Sequence, residues 1–322
     1  MKAAFRTGYG PPDVLDVTDV PMPEPARGEV LVRVRATTVN RTDCGALWGE
    51  PFVFRFFTGL PTPSHTATGS DFAGDVEAVG KDVTAFRVGD RVWGFDDNCA
   101  GTHAEYVTFS ARKAIATIPP GIDYAEAVAS AEGAHYAINF LRMVRPGAGR
   151  QVLVNGATGA IGSAAVQLLK HHGVHTTAVC ATPHVALVTS LGADRVIDYL
   201  TQDFTKEDAQ YDVVLDAVGK STFGACKPIL KPRGVYISSE LGPGGENVYL
   251  ALLAPLLGRN KKRVLFPFPL DIKGSLARMR DLLDQNKFRP VIDRTYRLDA
   301  IREAFTYVAS GQKIGNVILS MT

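Results

Sequence analysis

The sequence has no marked excess of charge of either sign, and cysteine is scarce. Lys plus Arg number 35 and Asp plus Glu 33 among 322 residues, which gives a formal net charge of +2. Binding along a nucleic acid needs a basic stripe, so this balance argues against nucleic acid as a partner. The four cysteines are too widely spaced for a disulfide framework or a structural zinc site, and we expect buried, reduced thiols.

Long apolar runs are also missing. The most apolar stretch, 248–257, is shorter than the roughly 20 residues that a membrane-spanning helix needs, and it contains Pro255. Residues 1–6 lack the apolar segment of a secretory signal peptide. We therefore expect a cytoplasmic protein with no membrane as a partner.

The sequence divides into two parts with different secondary-structure patterns, and its length allows about two domains. Residues 1–120 show short alternating runs, such as 29–36, in which valines fall on one face and charges on the other, as in a β-strand. Between 121 and 287, strands alternate with helices, which predicts a doubly wound parallel sheet. The tail, 288–322, turns β-like again, so we assign it to the first domain. The prediction is an α/β protein with a β domain and a Rossmann domain.

The sharpest motif is a glycine-rich turn between a predicted strand, 151–155, and a predicted helix, 161–172. Gly156 permits the tight turn, Gly159 lets the backbone approach a pyrophosphate, and Gly162 allows the helix to pack closely on the strand. The helix N-terminus then presents unpaired N–H groups and the positive end of a dipole. The motif predicts a dinucleotide site; the alternative is a tight turn with no ligand.

The segment after the second strand bears on which dinucleotide binds. NAD sites usually place a carboxylate there for the ribose 2′-hydroxyl, but residues 176–184 contain none. Thr182, His184 and Tyr199 could instead donate hydrogen bonds to a 2′-phosphate. The segment has no Arg or Lys that would attract a 2′-phosphate. The prediction therefore depends mainly on the absence of a carboxylate that would repel one. We predict NADPH rather than NADH.

Several further motifs appear in an order that identifies a family. They are Thr38–Asp43 (TVNRTD), Gly69–Val76 (GSDFAGDV), Val88–Val92 (VGDRV), Leu191–Asp194 (LGAD), Val196–Tyr199 (VIDY), Asp216–Gly219 (DAVG) and Gly311–Val317 (GQKIGNV). With the glycine-rich turn, they make the whole chain resemble the medium-chain dehydrogenases/reductases, in their zinc-free, NADPH-dependent quinone oxidoreductase-like branch. The resemblance implies a GroES-like β domain, a Rossmann domain, an active site between the two and a homodimer.

The resemblance also implies which residues contact the dinucleotide. Asn40 is expected near the nicotinamide ribose. The other expected contacts are Thr158, Ala160, Ile161, Tyr199, Val218, Gly219, Leu241, Gln312 and Lys313.

A catalytic zinc is not expected. Where zinc alcohol dehydrogenases have Cys-His-Thr-Asp, residues 40–43 are Asn-Arg-Thr-Asp, and where they have Gly-His-Glu, residues 69–71 are Gly-Ser-Asp. A catalytic zinc needs about three nitrogen, sulfur or carboxylate ligands from the protein. Without a metal, the hydride acceptor must be polarised by hydrogen bonds.

Asn40, Arg41 and Asp43 are therefore the catalytic candidates, because in relatives this segment faces the cleft. Arg41 could hold a carbonyl or carboxylate oxygen. It could equally be a surface charge or pair with Asp43. Asp43 suits a structural hydrogen-bond acceptor better than a proton donor.

Four residues are candidates for the substrate pocket. His65 and His135 could act as acids because histidine titrates near neutral pH, although each could be an ordinary surface or core histidine. Phe54 and Phe57 lie in an aromatic segment, 51–59, that suits either a lid over a flat substrate or part of a core.

Three functions are consistent with these residues. The first is a zinc-independent, NADPH-dependent reductase that transfers hydride to a quinone or an α,β-unsaturated carbonyl, with an apolar, conjugated small molecule as substrate. The second is a metal-free carbonyl reductase or alcohol dehydrogenase. The third is a protein that binds NADPH without catalysis, as a redox sensor.

Overall fold

A computed structural model describes residues 1–52, 55–97, 101–256 and 261–321, without the side chain of Phe57. Phe54 and Cys99 therefore lie outside the described residues. Cys44, Cys180 and Cys226 are free and buried, as predicted. In the described part of the chain, no helix is long and apolar enough to cross a membrane.

The strands are β1 (Lys2–Arg6), β2 (Leu15–Asp19), β3 (Glu29–Val39), β4 (Asp71–Val79), β5 (Arg91–Phe95), β6 (Tyr106–Ser110), β7 (Ile115–Thr117), β8 (Gln151–Asn155), β9 (His175–Cys180), β10 (Arg195–Asp198), β11 (Tyr211–Asp216), β12 (Leu230–Ser238), β13 (Arg263–Leu265), β14 (Ile292–Arg297) and β15 (Asn316–Ser320). The α-helices are α1 (Arg41–Trp48), α2 (Arg55–Thr58), α3 (Tyr124–Ala129), α4 (Glu132–Val144), α5 (Ala160–His171), α6 (Val185–Ser190), α7 (Phe223–Cys226), α8 (Glu246–Leu253), α9 (Ile272–Asp284) and α10 (Ile301–Ala309). Short 3₁₀ helices cover Pro12–Val14, Thr182–His184, Phe204–Lys206, Pro243–Gly245, Ala254–Leu256 and Leu298–Ala300.

The chain forms two compact units. The first unit comprises Met1–Glu132 and Asp271–Thr322, and the second comprises Gly133–Leu270. The domain limits predicted from the sequence, at 120 and 288, stay a prediction.

The first unit contains a sheet with the strand order β14-β15-β3-β4-β5-β7, and β6 also pairs with β3. All of these pairs are antiparallel except β14 with β15. The predicted alternation in β3 is present, since Val30, Val32 and Val34 are buried and pack with Phe72 and Phe109 in one apolar core. The long strand β3 ends at Val39, directly before α1, and this fixes where the candidate residues of 40–43 lie.

In the second unit, the described strands form a parallel sheet with the order β10-β9-β8-β11-β12-β13. Helices connect successive strands, as a parallel sheet requires. The order reverses direction between β8 and β11. Crevices for ligands form at such a switch point, outside the carboxyl ends of the strands.

The Ala-rich stretch 124–141 forms two helices. α3 begins at a capping box in which Asp123 accepts from the Glu126 N–H, and α4 begins at Glu132. The Ser130 hydroxyl donates to the Glu126 carbonyl within the break.

Candidate active site

The glycine-rich turn has three glycines with three different environments. Gly156 has a φ of +77°, and a β-carbon there would lie 2.7 Å from Val218. A β-carbon on Gly162 would lie 2.1 Å from the Gly156 carbonyl oxygen, so only glycine allows α5 to approach β8. At Gly159, however, the nearest atom would be 3.6 Å away. A β-carbon would therefore fit at Gly159 in ordinary van der Waals contact, at the place where the sequence predicts a pyrophosphate.

Gly159 is also the N-cap of α5, and its extended backbone turns the chain into the helix. The first N–H groups of a helix have no partner within it, and they point toward this turn at the positive end of the helix dipole. They belong to the predicted contacts Ala160 and Ile161 and to Gly162. The arrangement fits an anionic phosphate.

The other predicted contacts in the second unit follow neighbouring strands. Thr182 comes after β9, Tyr199 after β10, Val218 and Gly219 after β11, and Leu241 after β12. Because these strands are parallel, all the segments emerge at the carboxyl edge of one sheet, together with the glycine-rich turn. A dinucleotide lying along this edge can contact each of them.

A buried carboxylate, Asp216, organises the segment that carries Val218 and Gly219. Its Oδ1 accepts from Asn155 Nδ2 at 3.0 Å and from the Gly219 N–H at 3.0 Å. Its Oδ2 accepts from the Tyr236 hydroxyl at 2.9 Å. Sequence reasoning gave Asp216 no role, although an acidic residue that ends a buried apolar strand was a usable signal.

Another carboxylate lies beside the predicted 2′-phosphate contacts. The Thr182 hydroxyl donates to Asp198 Oδ2 at 2.5 Å. Asp198 ends β10, the strand next to β9. It therefore lies outside residues 176–184, where a carboxylate of an NAD site is expected. Tyr199 follows it and is 55% exposed.

In the first unit, Asn40 and Asp43 start α1. The Asn40 N–H donates to Asp43 Oδ2 at 2.8 Å, and Asn40 Nδ2 donates to Thr38 Oγ1 at 2.6 Å. Asn40 and Asp43 are both buried. Asp43 thus has the acceptor role expected for it. Arg41 is exposed, and within the described residues no ion pair joins it to Asp43.

Asp71, which sequence reasoning also missed, links this segment to β4. Its Oδ1 accepts from the Thr38 N–H at 2.8 Å and its Oδ2 from the Thr38 hydroxyl at 2.5 Å. Burial raises the pKa of Asp71 to about 6, while these hydrogen bonds act to lower it. His103 supports the same strand end, since its Nε2 lies 2.9 Å from the Thr38 carbonyl and its Nδ1 lies 2.9 Å from the Thr68 hydroxyl. Burial lowers the pKa of His103 to about 4, so it stays neutral.

Two buried acidic residues, Asp43 and Glu132, interact near the start of α1. Burial, reinforced by the charge of Asp71, raises the pKa of Asp43 to about 8. Burial and the charge of Asp43 raise the pKa of Glu132 well above its usual value. The Thr42 hydroxyl donates to Glu132 Oε1 at 2.5 Å. Burial lowers the pKa of Lys313, whose Nζ donates to the Gly315 carbonyl at 2.6 Å.

The remaining predicted residues are distributed differently. Gln312 and His65 are exposed. His135 is buried in α4, with the Asn139 side-chain nitrogen 3.2 Å from its Nε2. In the aromatic segment, the described Phe52 and Phe56 are exposed and pack edge to face. The predicted lid residue Phe57 contributes its backbone to α2.

Comparisons with known proteins identify the family. Residues 26–120 match the alcohol dehydrogenase GroES-like domain, and residues 191–319 match the zinc-binding dehydrogenase family. The quinone-oxidoreductase QR1 of Triphysaria versicolor, a chloroplastic protein, is 30% identical over 99% of this chain and 98% of its own. The NADPH-dependent alkenal/one oxidoreductase of Arabidopsis thaliana, also chloroplastic, is 30% identical over 99% of this chain and 79% of its own. The solved quinone oxidoreductase from Coxiella burnetii superposes with a TM-score of 0.86 at 25% identity, over 100% of this chain and 99% of that one.

The chain belongs to the medium-chain dehydrogenase/reductase superfamily, in its quinone oxidoreductase-like branch. It is an oxidoreductase built from a GroES-like domain and a Rossmann domain, so the predicted family and fold class are confirmed. Its cofactor is a nicotinamide dinucleotide, and its substrate is a small molecule.

Proposed function

We propose that this protein is a metal-independent reductase that uses NADPH to reduce quinones or α,β-unsaturated carbonyls. The observation that carries the proposal is the carboxyl edge of the second unit's sheet. There the glycine-rich turn, the lack of crowding at Gly159 and the segments after β9, β10, β11 and β12 fit a dinucleotide. The names of the relatives from Triphysaria and Arabidopsis support the two substrate classes.

NADPH is favoured by two observations. The segment after β9 contains no carboxylate, and the Arabidopsis relative is NADPH-dependent by name. Thr182 and Tyr199 supply hydroxyl groups where we expect the 2′-phosphate. Asp198 opposes this preference through its negative charge, so we expect a moderate rather than an absolute selectivity.

Metal independence is supported by the groups at the start of α1. Asn40 donates to Thr38, and Asp71 accepts from Thr38, so both side chains are occupied by hydrogen bonds within the protein. Among the described residues, no group of three or more His, Cys, Asp or Glu side chains is arranged to hold a metal ion. Polarisation of the substrate carbonyl is therefore assigned to hydrogen-bond donors.

The proposed function assigns separate roles to the cofactor and to the residues around it. A bound reduced nicotinamide supplies the hydride. The first turn of α5 holds the phosphates, and Asp216 fixes the segment of Val218 and Gly219 so that the dinucleotide is positioned before reaction. Positioning of donor and acceptor supplies much of the rate in such reactions. Asn40, Arg41 and the tail residues Gln312 and Lys313 stay predicted contacts.

The test is NADPH oxidation, followed by absorbance, with 1,4-naphthoquinone and 3-buten-2-one as acceptors. A parallel series uses NADH, and another includes the chelator 1,10-phenanthroline. We expect turnover that survives the chelator and is faster with NADPH. Turnover lost with the chelator would contradict metal independence. NADPH binding without turnover on either acceptor would favour a redox sensor, and oxidation of simple alcohols with NADP would favour an alcohol dehydrogenase.

A homodimer in the cytoplasm completes the proposal. The homodimer is what the resemblance to the family implies, and the cytoplasmic location stays a prediction. Light scattering on the purified protein and fractionation of the source cells test these two statements.

A further inference from the structure

Glu132 is a buried acid whose two oxygens have very different surroundings. It begins α4 and is only 5% exposed. Its Oε1 lies 2.5 Å from the Thr42 hydroxyl. Its Oε2 is buried and, among the described residues, has no hydrogen-bond partner. A buried carboxylate with an unpaired oxygen is costly, whereas a neutral carboxylic acid at the same place is far less so.

The neighbouring charges act on Glu132 from several elements. Asp43 on α1, Asp71 on β4 and Asp97 after β5 are acidic and favour the protonated form, in addition to burial, and together they raise its pKa. Lys313, in the turn before β15, is a cation that interacts with Glu132. Lys313 therefore stabilises the carboxylate that remains when Glu132 loses its proton.

Thr42 connects this buried acid to the surface. It is the second residue of α1, lies between the candidates Arg41 and Asp43, and is exposed. A hydroxyl group can accept one proton while donating another. When Glu132 is protonated, it can donate to Thr42 Oγ1, and the Thr42 hydrogen is then free to point toward a ligand.

We propose that Glu132 and Thr42 form a relay that delivers the proton required after hydride transfer, with Glu132 as the source and Thr42 as the group that contacts the substrate. This inference rests on the proposed reductase function. Hydride addition to an enone or quinone leaves negative charge on the substrate oxygen. Thr42 gives its proton to that oxygen, and the Glu132 Oε1–H bond breaks as a new Thr42 Oγ–H bond forms. The Glu132 carboxylate then takes a proton from solvent.

The experiment compares Glu132→Gln, Thr42→Val and Thr42→Ser with the wild-type protein, using whichever of 3-buten-2-one and 1,4-naphthoquinone the wild type reduces faster. Glutamine keeps a partner for Thr42 but has no proton to deliver. General acids contribute about 100-fold or more to the rate, so we expect kcat to fall by about that factor in Glu132→Gln and Thr42→Val. Thr42→Ser should retain most of the activity. The double variant should be no slower than the slower single variant, because the two groups act as one unit.

The pH profile separates a relay from a structural role. A proton donor must be protonated, so wild-type kcat should fall as the pH rises through the pKa of Glu132, and Glu132→Gln should lack this limb. Glu126→Gln, at the exposed start of α3, and Thr306→Val, on the exposed face of α10, are matched controls with unchanged kcat.

Two further measurements distinguish loss of the relay from loss of folding or of cofactor binding. Melting temperature and NADPH affinity show whether each variant folds and binds cofactor. If Glu132→Gln fails to fold, Thr42→Val carries the test, because Thr42 is exposed and valine has nearly the same shape. Wild-type kcat in either variant, or a pH limb that persists in Glu132→Gln, overturns the relay. No turnover by the wild type would instead contradict the proposed function.

Discussion

The Thr182 hydroxyl donates to the Asp198 carboxylate across two neighbouring strands of the second unit's sheet, with 2.5 Å between the oxygen atoms. Thr182 follows β9 and Asp198 ends β10. The Thr182 hydroxyl, a predicted donor to the 2′-phosphate, therefore already donates to a negatively charged group, Asp198. In the proposed function, cofactor preference depends on both the hydroxyl donors and the Asp198 carboxylate.

Replacing Asp198 with asparagine should increase the preference for NADPH. The change removes a negative charge near the predicted 2′-phosphate but keeps an oxygen that can accept from the Leu200 N–H. Two unit charges about 4 Å apart in water interact by about 1 kcal/mol, so the ratio of NADPH to NADH affinity should rise by about fivefold or more. Titration of both cofactors checks this. Asp203→Asn is the control, since Asp203 bonds within its own turn; an equal change in that variant would contradict a specific role for Asp198.

Valine at Gly159 should weaken cofactor binding, whereas valine at Gly162 should weaken the fold. Gly159 has a φ of −69° and room for a β-carbon, so Gly159→Val should fold normally but bind NADPH at least about tenfold more weakly, because the side chain occupies the predicted pyrophosphate position. Gly162→Val should lower the free energy of unfolding by about 1–3 kcal/mol or more, because its β-carbon would collide with Gly156. Calorimetry and cofactor titration separate the two effects. Unchanged NADPH affinity in Gly159→Val would mean that the turn does not hold the phosphates.

Asp216→Asn should weaken both the fold and cofactor binding. Asparagine cannot accept at both positions, so either the Gly219 N–H or the Ser221 N–H loses its partner. An unpaired buried group costs about 1–3 kcal/mol, and we expect a loss of unfolding free energy in that range. NADPH affinity should fall as well, because Val218 and Gly219 are no longer held. Asp212→Asn, at the other end of β11, should leave the affinity unchanged; an unaltered affinity in Asp216→Asn would show that this segment does not contact the cofactor.

The stability of the first unit should depend on pH through Asp43. Its pKa is raised to about 8 in the folded protein, because of burial and the nearby Asp71, and an unfolded aspartate titrates near 3.8. Asp43 therefore contributes stability that is fully present below pH 3.8 and is lost as the pH rises toward 8. Asp43→Asn should flatten this decline and be more stable than the wild type at pH 8 or above. Urea unfolding at several pH values measures it, and parallel curves for the two proteins would contradict the assignment.

Sequence reasoning succeeded where the signal is local. The glycine-rich turn lies between a strand and a helix within one short segment, and the predicted strand 151–155 agrees with β8 residue for residue. The break between α3 and α4 contains neither glycine nor proline, so periodicity alone could not reveal it. The partnership of Thr38 with Asp71 depends on the register of β3 with β4, which brings together residues that are 33 apart in the sequence. Glu132 was a detectable exception, since it is one of only two carboxylates, with Glu126, in the Ala-rich run 124–141.

The placement of β15 has a consequence for synthesis of the protein. The second unit is one continuous segment, whereas the first unit needs Asp271–Thr322, and β15 pairs with the long strand β3. During translation, the second unit can complete its fold while β3 still has an unpaired edge. Unpaired strand edges promote aggregation, so a nascent or truncated chain that lacks β15 is prone to aggregate until residues 316–320 have emerged. The integrity of the first unit thus depends on the synthesis of β15.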